Sequence, residues 1–487
     1  MKRSHRIGLL LLIVTTFAPT VSPTALAGAG VSDEAPARYA VCPTGAPREV
    51  FPGDDWAWAA SPESLGWSSE KLAAARDYAD RIGTAALMIV DDGVVVDAWG
   101  DLTCTYHCHS MRKSLLSALY GIYVADGAID LSKTLEDLGV DEKTPLTAAE
   151  KQATVADLLK ARSGVYLPAA GEAASMVETR PDRGSHAPGT FWYYNNWDFN
   201  ALGTIFEQET GEESIYEAFR RRIAEPIGMQ DYRPERLRYG YVDYSMHPYY
   251  GFDLSTRDLA RFGLLFLRDG RWNWHRILSP EWVRESTATY SETGPNSGYG
   301  YMWWTGDGAG LFPNVNVGGY SYYASGYGGH RVVVLPYRDL VIVHRVDTFR
   351  PYDEVSEEEF GVLLWRLLDA AGETDIGEPP FLELAPGVRL TGDDLRATIP
   401  GTTLRPSDGR MGATVVNDPD GGLSISFDGA LVFTGTWWIE GDSYCVDVPD
   451  SADIGGCFRA ALDGSDLRLY GSDGTLSIRF TIDRDAP

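Results

Sequence analysis

Ser110 and Lys113 stand one helical turn apart, so on a helix they share a face, and the lysine amine can take a proton from the serine hydroxyl. That is the chemistry of an acyl-transfer nucleophile. An ammonium group is a poor base, and the pair works near neutral pH only where burial lowers the lysine pKa. The spacing alone is weak evidence, because the chain carries its own decoy, Ser68-Ser69-Glu70-Lys71, whose serine reads as a helix cap. Cys104, His107, Cys108 and His109 crowd the same neighbourhood and could be read as metal ligands. Zinc sites usually draw on two separated ligand pairs, so packed or bridged cysteines are expected here, with no metal and no cofactor. His247 and His330 read as packed residues or pocket lining. Tyr299, Tyr301, Trp303 and Trp304 read as core that shapes a pocket at one or two positions.

Positioning such a pair requires a helix that starts at Ser110. Leu115, Leu116, Leu119 and Ile122 recur at helical spacing from Ser110 to Ala125, and Gly127 follows as a stop. Before it, apolar runs over Ala86–Val90 and Val94–Trp99 flank Asp91-Asp92-Gly93, a hairpin signature. Further helices are expected over Val155–Ala161, Asn200–Thr210, Ser214–Ala224, Thr256–Leu267 and Glu357–Ala371. Strands return at Tyr320–Ser325, Arg331–Leu335 and Leu340–Val346. A hairpin, a helical middle and a return to strands imply one antiparallel sheet assembled from both chain ends. Residues 373–386 read as a linker, and beyond them short alternating segments separated by Asp-Gly turns imply a small all-β module over 387–487.

A second box strengthens the case: Pro188-Gly189-Thr190-Phe191-Trp192-Tyr193-Tyr194-Asn195-Asn196, closing on Ala201-Leu202-Gly203. It resembles the PG-x-x-x-x-Y-x-N-x(6)-G signature of the superfamily of class C β-lactamases, DD-peptidases and esterases. Thr154–Leu159 before Ser163-Gly164, Pro226–Met229 and Ser255–Gly263 match in the right order, so the likeness spans roughly residues 50–372. The resemblance implies an α+β fold: an antiparallel sheet flanked by helices, a helical subdomain, and here the small all-β domain added. It also implies roles: Ser110 as nucleophile, Lys113 as its base, Tyr194 sharing the proton, and Asn196 orienting Lys113 and the substrate. The backbone N–H groups of Ser110 and Tyr327 would form the oxyanion hole. The family's third box maps to Ala324-Ser325-Gly326 as a substrate-binding strand, with Ala324 where a cation is common. That departure argues against penicillin-like substrates, and the context resembles the branch of 6-aminohexanoate-oligomer hydrolases and carboxylesterases. An ester or linear amide hydrolase is therefore expected. D-Ala-D-Ala-type peptidase, β-lactamase and a catalytically silent cell-wall-binding relative are the alternatives.

Composition narrows the partners. With 69 Asp and Glu against 42 Lys and Arg, the net charge is −27, which disfavours nucleic acid and anionic membranes. The expected partner is a small ester, amide or peptide-like molecule, and no oligomeric state is implied. Lys2, Arg3 and Arg6, the apolar run Ile7–Phe17 and Ala25-Leu26-Ala27 read as a signal peptide over residues 1–27. The hydrolase domain would then occupy residues 28–372, in the periplasm or outside the cell. No later stretch reaches membrane-spanning length. Five cysteines allow disulfides in an exported chain: Cys445 pairs with Cys457, while Cys104 and Cys108 pair with each other or one of them reaches Cys42.

Overall fold

The computed structural model describes residues 49–349, 354–377, 388–406, 413–427, 429–449, 455–463, 465–470 and 476–483. The expected signal peptide and Cys42 lie outside them. Helix α1 (Ser69–Arg81) is capped by Ser68, whose side chain accepts from the Lys71 N–H, so the decoy serine has a capping role. Strands β1 (Thr84–Asp91) and β2 (Val94–Gly100) form the hairpin. Asp92 and Gly93 close it with φ of 45° and 79°, the two positive values that a tight primed turn needs. Next come α2 (Arg112–Ala125), α3 (Val155–Leu159), α4 (Asn196–Thr210) and α5 (Thr256–Leu267). Strands β3 (Ser291–Gly294), β4 (Ser297–Tyr299) and β5 (Trp304–Gly306) follow. The domain closes with β6 (Ser321–Gly326), β7 (His330–Leu335), β8 (Leu340–Val346) and helix α6 (Glu357–Ala370).

These eight strands make one antiparallel sheet in the order β2-β1-β8-β7-β6-β5-β4-β3. Both faces are covered, which is why β8 reads as an unbroken run with every residue buried. One core lies under α1 and α6, with Leu72, Ala75, Phe360, Leu364 and Leu368 against Leu87, Ile89, Val333 and Ile342. The other lies under α2, α4 and α5, with Leu115, Leu119, Phe199, Phe262 and Phe266 against Met88, Val90, Val332 and Val343. Helix α2 is buried along nearly its whole length, sandwiched between the sheet and the helical subdomain. Its mixed sequence follows from burial on all sides rather than on one stripe.

Residues 373–377, at the start of the expected 373–386 linker, are described. Ile376 is buried in the α1/α6 core, its carbonyl accepts from the Asn316 N–H at 2.9 Å, and Glu373 pairs with Arg338. Burying Ile376 docks this stretch on the sheet domain, and residues 378–387 lie outside those described.

The C-terminal module is a closed barrel. Helix α7 (Gly392–Thr398) precedes β9 (Thr402–Pro406), β10 (Ala413–Asn417), β11 (Gly422–Phe427) and β12 (Ala430–Glu440). Then follow β13 (Ser443–Asp447), β14 (Gly455–Asp463), β15 (Asp466–Tyr470) and β16 (Leu476–Asp483). Each pairs antiparallel with the next, and β16 returns to β9, so the ring has no free edge. Its interior is filled by Leu404, Leu423, Ile425, Trp437, Tyr444, Leu467 and Phe480, with Leu395 of α7 added to the same core. Sequence texture reveals five of these strands; β9, β14 and β16 are obscured by Pro406, by Gly455-Gly456 and by scattered charges. Cys445 and Cys457 face each other across β13 and β14 and are joined by a disulfide.

A bridge that closes a loop of this length contributes about 3 kcal/mol in the chain-entropy account. Cys445→Ser should therefore lower the barrel's resistance to urea by about that amount, read from hydrogen exchange of the barrel's strand amides. Intact mass of unreduced protein showing two free thiols at these positions would overturn the assignment.

Candidate active site

The serine turn is built by local geometry and by one close approach. Residues His109–Met111 form a single 3₁₀ turn that runs directly into α2. His109 holds a left-handed φ of 46°, an uncommon backbone state that turns the chain sharply just before Ser110. The turn is tied down at its N-terminal end: the Cys108 N–H donates to Phe252 O at 2.7 Å, and His109 Nε2 lies 2.8 Å from Thr348 Oγ1. Strand β6 presses against it at Gly326, where a Cβ would stand 2.5 Å from the Cys108 carbonyl oxygen. Only glycine allows that contact without moving the strand.

Helix α2 carries Lys113 inward from this turn. Its side chain is 2 % exposed, and Nζ sits 2.7 Å from Ser110 Oγ and 2.7 Å from Tyr194 Oη. Burial, and after it the neighbouring Arg112 guanidinium, hold the amine well below the ordinary lysine pKa. Tyr194 packs against Phe199, Tyr299 and Trp304, and burial pushes its phenol up to about 12, opposed by its hydrogen bond with Ser110. Both shifts favour the neutral forms, an amine that can accept a proton beside a phenol that can donate one.

The loop carrying Tyr194 is fixed from below. Thr154 and Asp157 cap α3 reciprocally, and Gly189, at φ 78°, passes close over Asp157 while its N–H donates to Arg162 O at 2.8 Å. Buried Asp198 accepts from Ser163 Oγ and, at 2.8 Å, from Asn195 Nδ2, joining the Ser163-Gly164 turn to the start of α4. Tyr193 turns away and donates its hydroxyl to Met176 O. Asn196 does not bond to Lys113: its Nδ2 donates to Gly171 O at 2.6 Å, while its Oδ1 is buried without a partner. The expected Asn196–Lys113 contact is thus replaced by one to the opposite wall.

Ser110, Tyr194, Asn196, Ser325, Gly326 and Tyr327 line one cleft of about 880 Å³. Ala324 does not reach it. It is 1 % exposed, in the core that also holds Met111 and Val332, because alternation along β6 turns residue 324 inward and residue 325 into the cleft. Pairing of β5 with β6 stops at Tyr323, so the backbone from Ala324 to Gly326 runs past the end of its neighbour. That leaves an edge on which an extended substrate can hydrogen-bond.

A β-lactamase family model matches residues 70–359, more than half of the chain. The chain belongs to the β-lactamase family. Among solved structures, an octameric penicillin-binding protein homologue from Pyrococcus abyssi is 16% identical, covering 85% of this chain and 99% of its own, with a TM-score of 0.51. A protein described as a candidate 6-aminohexanoate-dimer hydrolase from Bacillus anthracis is 21% identical, covering 64% of this chain and 82% of its own, with a TM-score of 0.47. A penicillin-binding protein from Bacillus halodurans is 16% identical, covering 56% and 95%, with a TM-score of 0.44. At these identities the likeness concerns the fold. No curated protein matches the sequence.

Within this β-lactamase-family chain, the histidines near the serine are held by protein partners. His107 bonds to Asp253 at 2.7 Å and to Tyr249 Oη at 3.0 Å, and His330 Nδ1 takes the Arg345 Nε–H at 3.0 Å. His247 sits between Thr204 and the Asp141 carbonyl. Cys104 and Cys108 are free thiols, so the pairing between them does not form. Trp304 lines the cleft, while Tyr299, Tyr301 and Trp303 are buried. Sequence reasoning missed Arg112 altogether. Its guanidinium lies between the rings of Tyr249 and Tyr250, 4.3 and 4.1 Å from their centroids, and donates to Asn200 Oδ1 at 2.8 Å. Nothing local marks Arg112, because its partners come from two distant segments.

Burial of Lys113 has a signed consequence for stability. Between its depressed folded pKa and the ordinary value of 10.5, the unfolded chain binds more protons than the folded one, so the lysine destabilises the fold, less so as pH rises. Lys113→Met should be inactive yet melt at a higher temperature at pH 7, with the advantage shrinking toward pH 10. Calorimetry that finds the variant less stable at pH 7 would count against a neutral buried amine.

Proposed function

We propose that the chain is an exported serine hydrolase that acts through an acyl-enzyme on Ser110, with esters or linear amides as substrates. The observation that carries this reading is the position of Lys113 Nζ, 2.7 Å from both Ser110 Oγ and Tyr194 Oη in a cleft wide enough for a substrate. As Ser110 Oγ bonds to the substrate carbonyl carbon, its proton passes to the neutral Lys113 amine. The carbonyl oxygen becomes an oxyanion held by the N–H groups of Ser110 and Tyr327. When the intermediate collapses, the bond to the leaving group breaks. That group takes a proton from Tyr194, which regains one from Lys113. Water then attacks the acyl-serine by the same relay and frees the acid. Asn196 Oδ1, buried and unpaired, is placed to accept a substrate N–H.

The preference for esters and linear amides rests on position 324. A penicillin carries its carboxylate close to the reacting carbonyl, where related enzymes place a cation on this strand, and the Ala324 methyl supplies none. Arg331 does not fill the gap. It pairs across from Ser325, so its side chain leaves the sheet on the face of Tyr323 and Phe360, opposite Ala324. A lost charge-assisted hydrogen bond is worth roughly 1.5–3 kcal/mol, or one to two powers of ten in binding. Export agrees with the leader-like first 27 residues and with the Cys445–Cys457 disulfide.

Ser110→Ala should abolish turnover with the fold intact, and a fluorophosphonate probe should label Ser110 in the parent protein. Lys113→Ala and Tyr194→Phe should each cost at least about a hundredfold in kcat/KM. Ordinary turnover by purified Ser110→Ala would defeat the assignment. On p-nitrophenyl butyrate and nitrocefin side by side, the ester should be the far better substrate. Efficient nitrocefin hydrolysis with negligible esterase activity would overturn the substrate class and leave the serine mechanism standing.

A further inference from the structure

One wall of the cleft carries two guanidinium groups from two parts of the fold, with Glu354 and Glu357 on the same rim. Arg331, on β7, has a side chain only 5 % exposed yet lines the cleft. Its Nη1 donates to the carbonyl oxygens of Gly326 and His330 at 3.2 and 2.9 Å, its Nε is buried without a partner, and Glu357 stands 3.7 Å away. Neutral carbonyls do not compensate a buried cation, and a half-exposed carboxylate at that distance does so weakly. The second charge is Arg459, on β14 of the barrel, which reaches into the same cleft. Its Nη1 touches Ser356 Oγ at 2.7 Å and Glu359 Oε2 at 3.2 Å, at the start of α6.

We infer that Arg331 and Arg459 form a carboxylate subsite, so that the barrel takes part in substrate choice and the preferred substrates carry a carboxylate set away from the scissile bond. The inference rests on the serine-hydrolase reading above and narrows it. Several acids that line or flank the cleft are already engaged. Glu172 is held by Arg180 at 2.6 Å, Glu354 accepts from the Tyr327 hydroxyl, and Glu359 closes the capping box of α6 with Ser356. A planar carboxylate matches a guanidinium fork, and with Glu354 and Glu357 on the same rim a monoanion is tolerated better than a dianion such as phosphate. The cation that is missing at Ala324 is thus replaced by charge on the other face of the sheet and on a second domain. A carboxylate held there belongs to a longer, linear substrate.

Matched pairs test this on each side of the scissile bond: mono-p-nitrophenyl adipate against p-nitrophenyl hexanoate, and N-butyryl-4-aminobutyrate against its primary amide. The full-length protein should favour the charged member of at least one pair. Arg459→Gln should lower the charged-to-neutral ratio of kcat/KM by about tenfold, Arg459→Lys should retain most of it, and Arg459→Glu should invert it. An equal fall for both members would make Arg459 a structural latch on α6 and overturn the proposal. So would hydrolysis of the neutral esters with no preference for charge, a result that leaves the hydrolase reading intact. Failure of that reading is seen separately, as absence of fluorophosphonate labelling at Ser110.

Discussion

Burial of one amine is the constraint around which the catalytic domain is arranged. Lys113 can act as a base only while its ammonium form is penalised, and that penalty requires a helix buried on all sides rather than on one stripe. Wrapping α2 takes the sheet on one side and the helical subdomain on the other, which explains why the subdomain is inserted between the two halves of the sheet. The rings of Tyr194 and Phe199 close over Nζ at 4.3 and 4.8 Å from their centroids and exclude water, while Arg112 adds a like charge from the same helix.

A second constraint is mechanical. The serine turn and the edge of β6 lie in close contact, and Gly326 against the Cys108 carbonyl sets their spacing. The left-handed residue His109 is tolerated because its ring and the preceding Cys108 are pinned. Strain of this kind persists only where the surroundings over-determine it. The same turn is weakly charged: burial holds the His109 imidazole at about 4 and the Cys108 thiol at about 11, so neither is ionised near neutral pH.

The barrel solves a different problem. Eight strands closed into a ring leave no edge to aggregate, and a disulfide across β13 and β14 reinforces the wall. Its interior is packed with side chains, and the residue it offers outward at the cleft is Arg459. Selectivity carried on a separate module can change without disturbing the desolvated amine, since the two lie in different hydrophobic cores.

Much of this protein is written locally in its sequence. The hairpin at Asp92-Gly93, helix α5 from Thr256 to Leu267 and strand β8 from Leu340 to Val346 follow from turn chemistry and periodicity, which act over a few residues. The Ser110–Lys113 spacing and the register that separates Tyr194 from Tyr193 are likewise readable, because both depend on fixed offsets along the chain. Contacts between distant segments are not. That Asn196 bonds to Gly171 rather than Lys113, that Ala324 faces the core, that Ile376 is buried under α1 and α6, that Arg112 lies between Tyr249 and Tyr250, and that Arg331 and Arg459 line the cleft all depend on which surfaces meet. Periodicity tells which face of an element is buried; only tertiary packing tells what lies opposite it, and the pKa of Lys113 is set by what lies opposite.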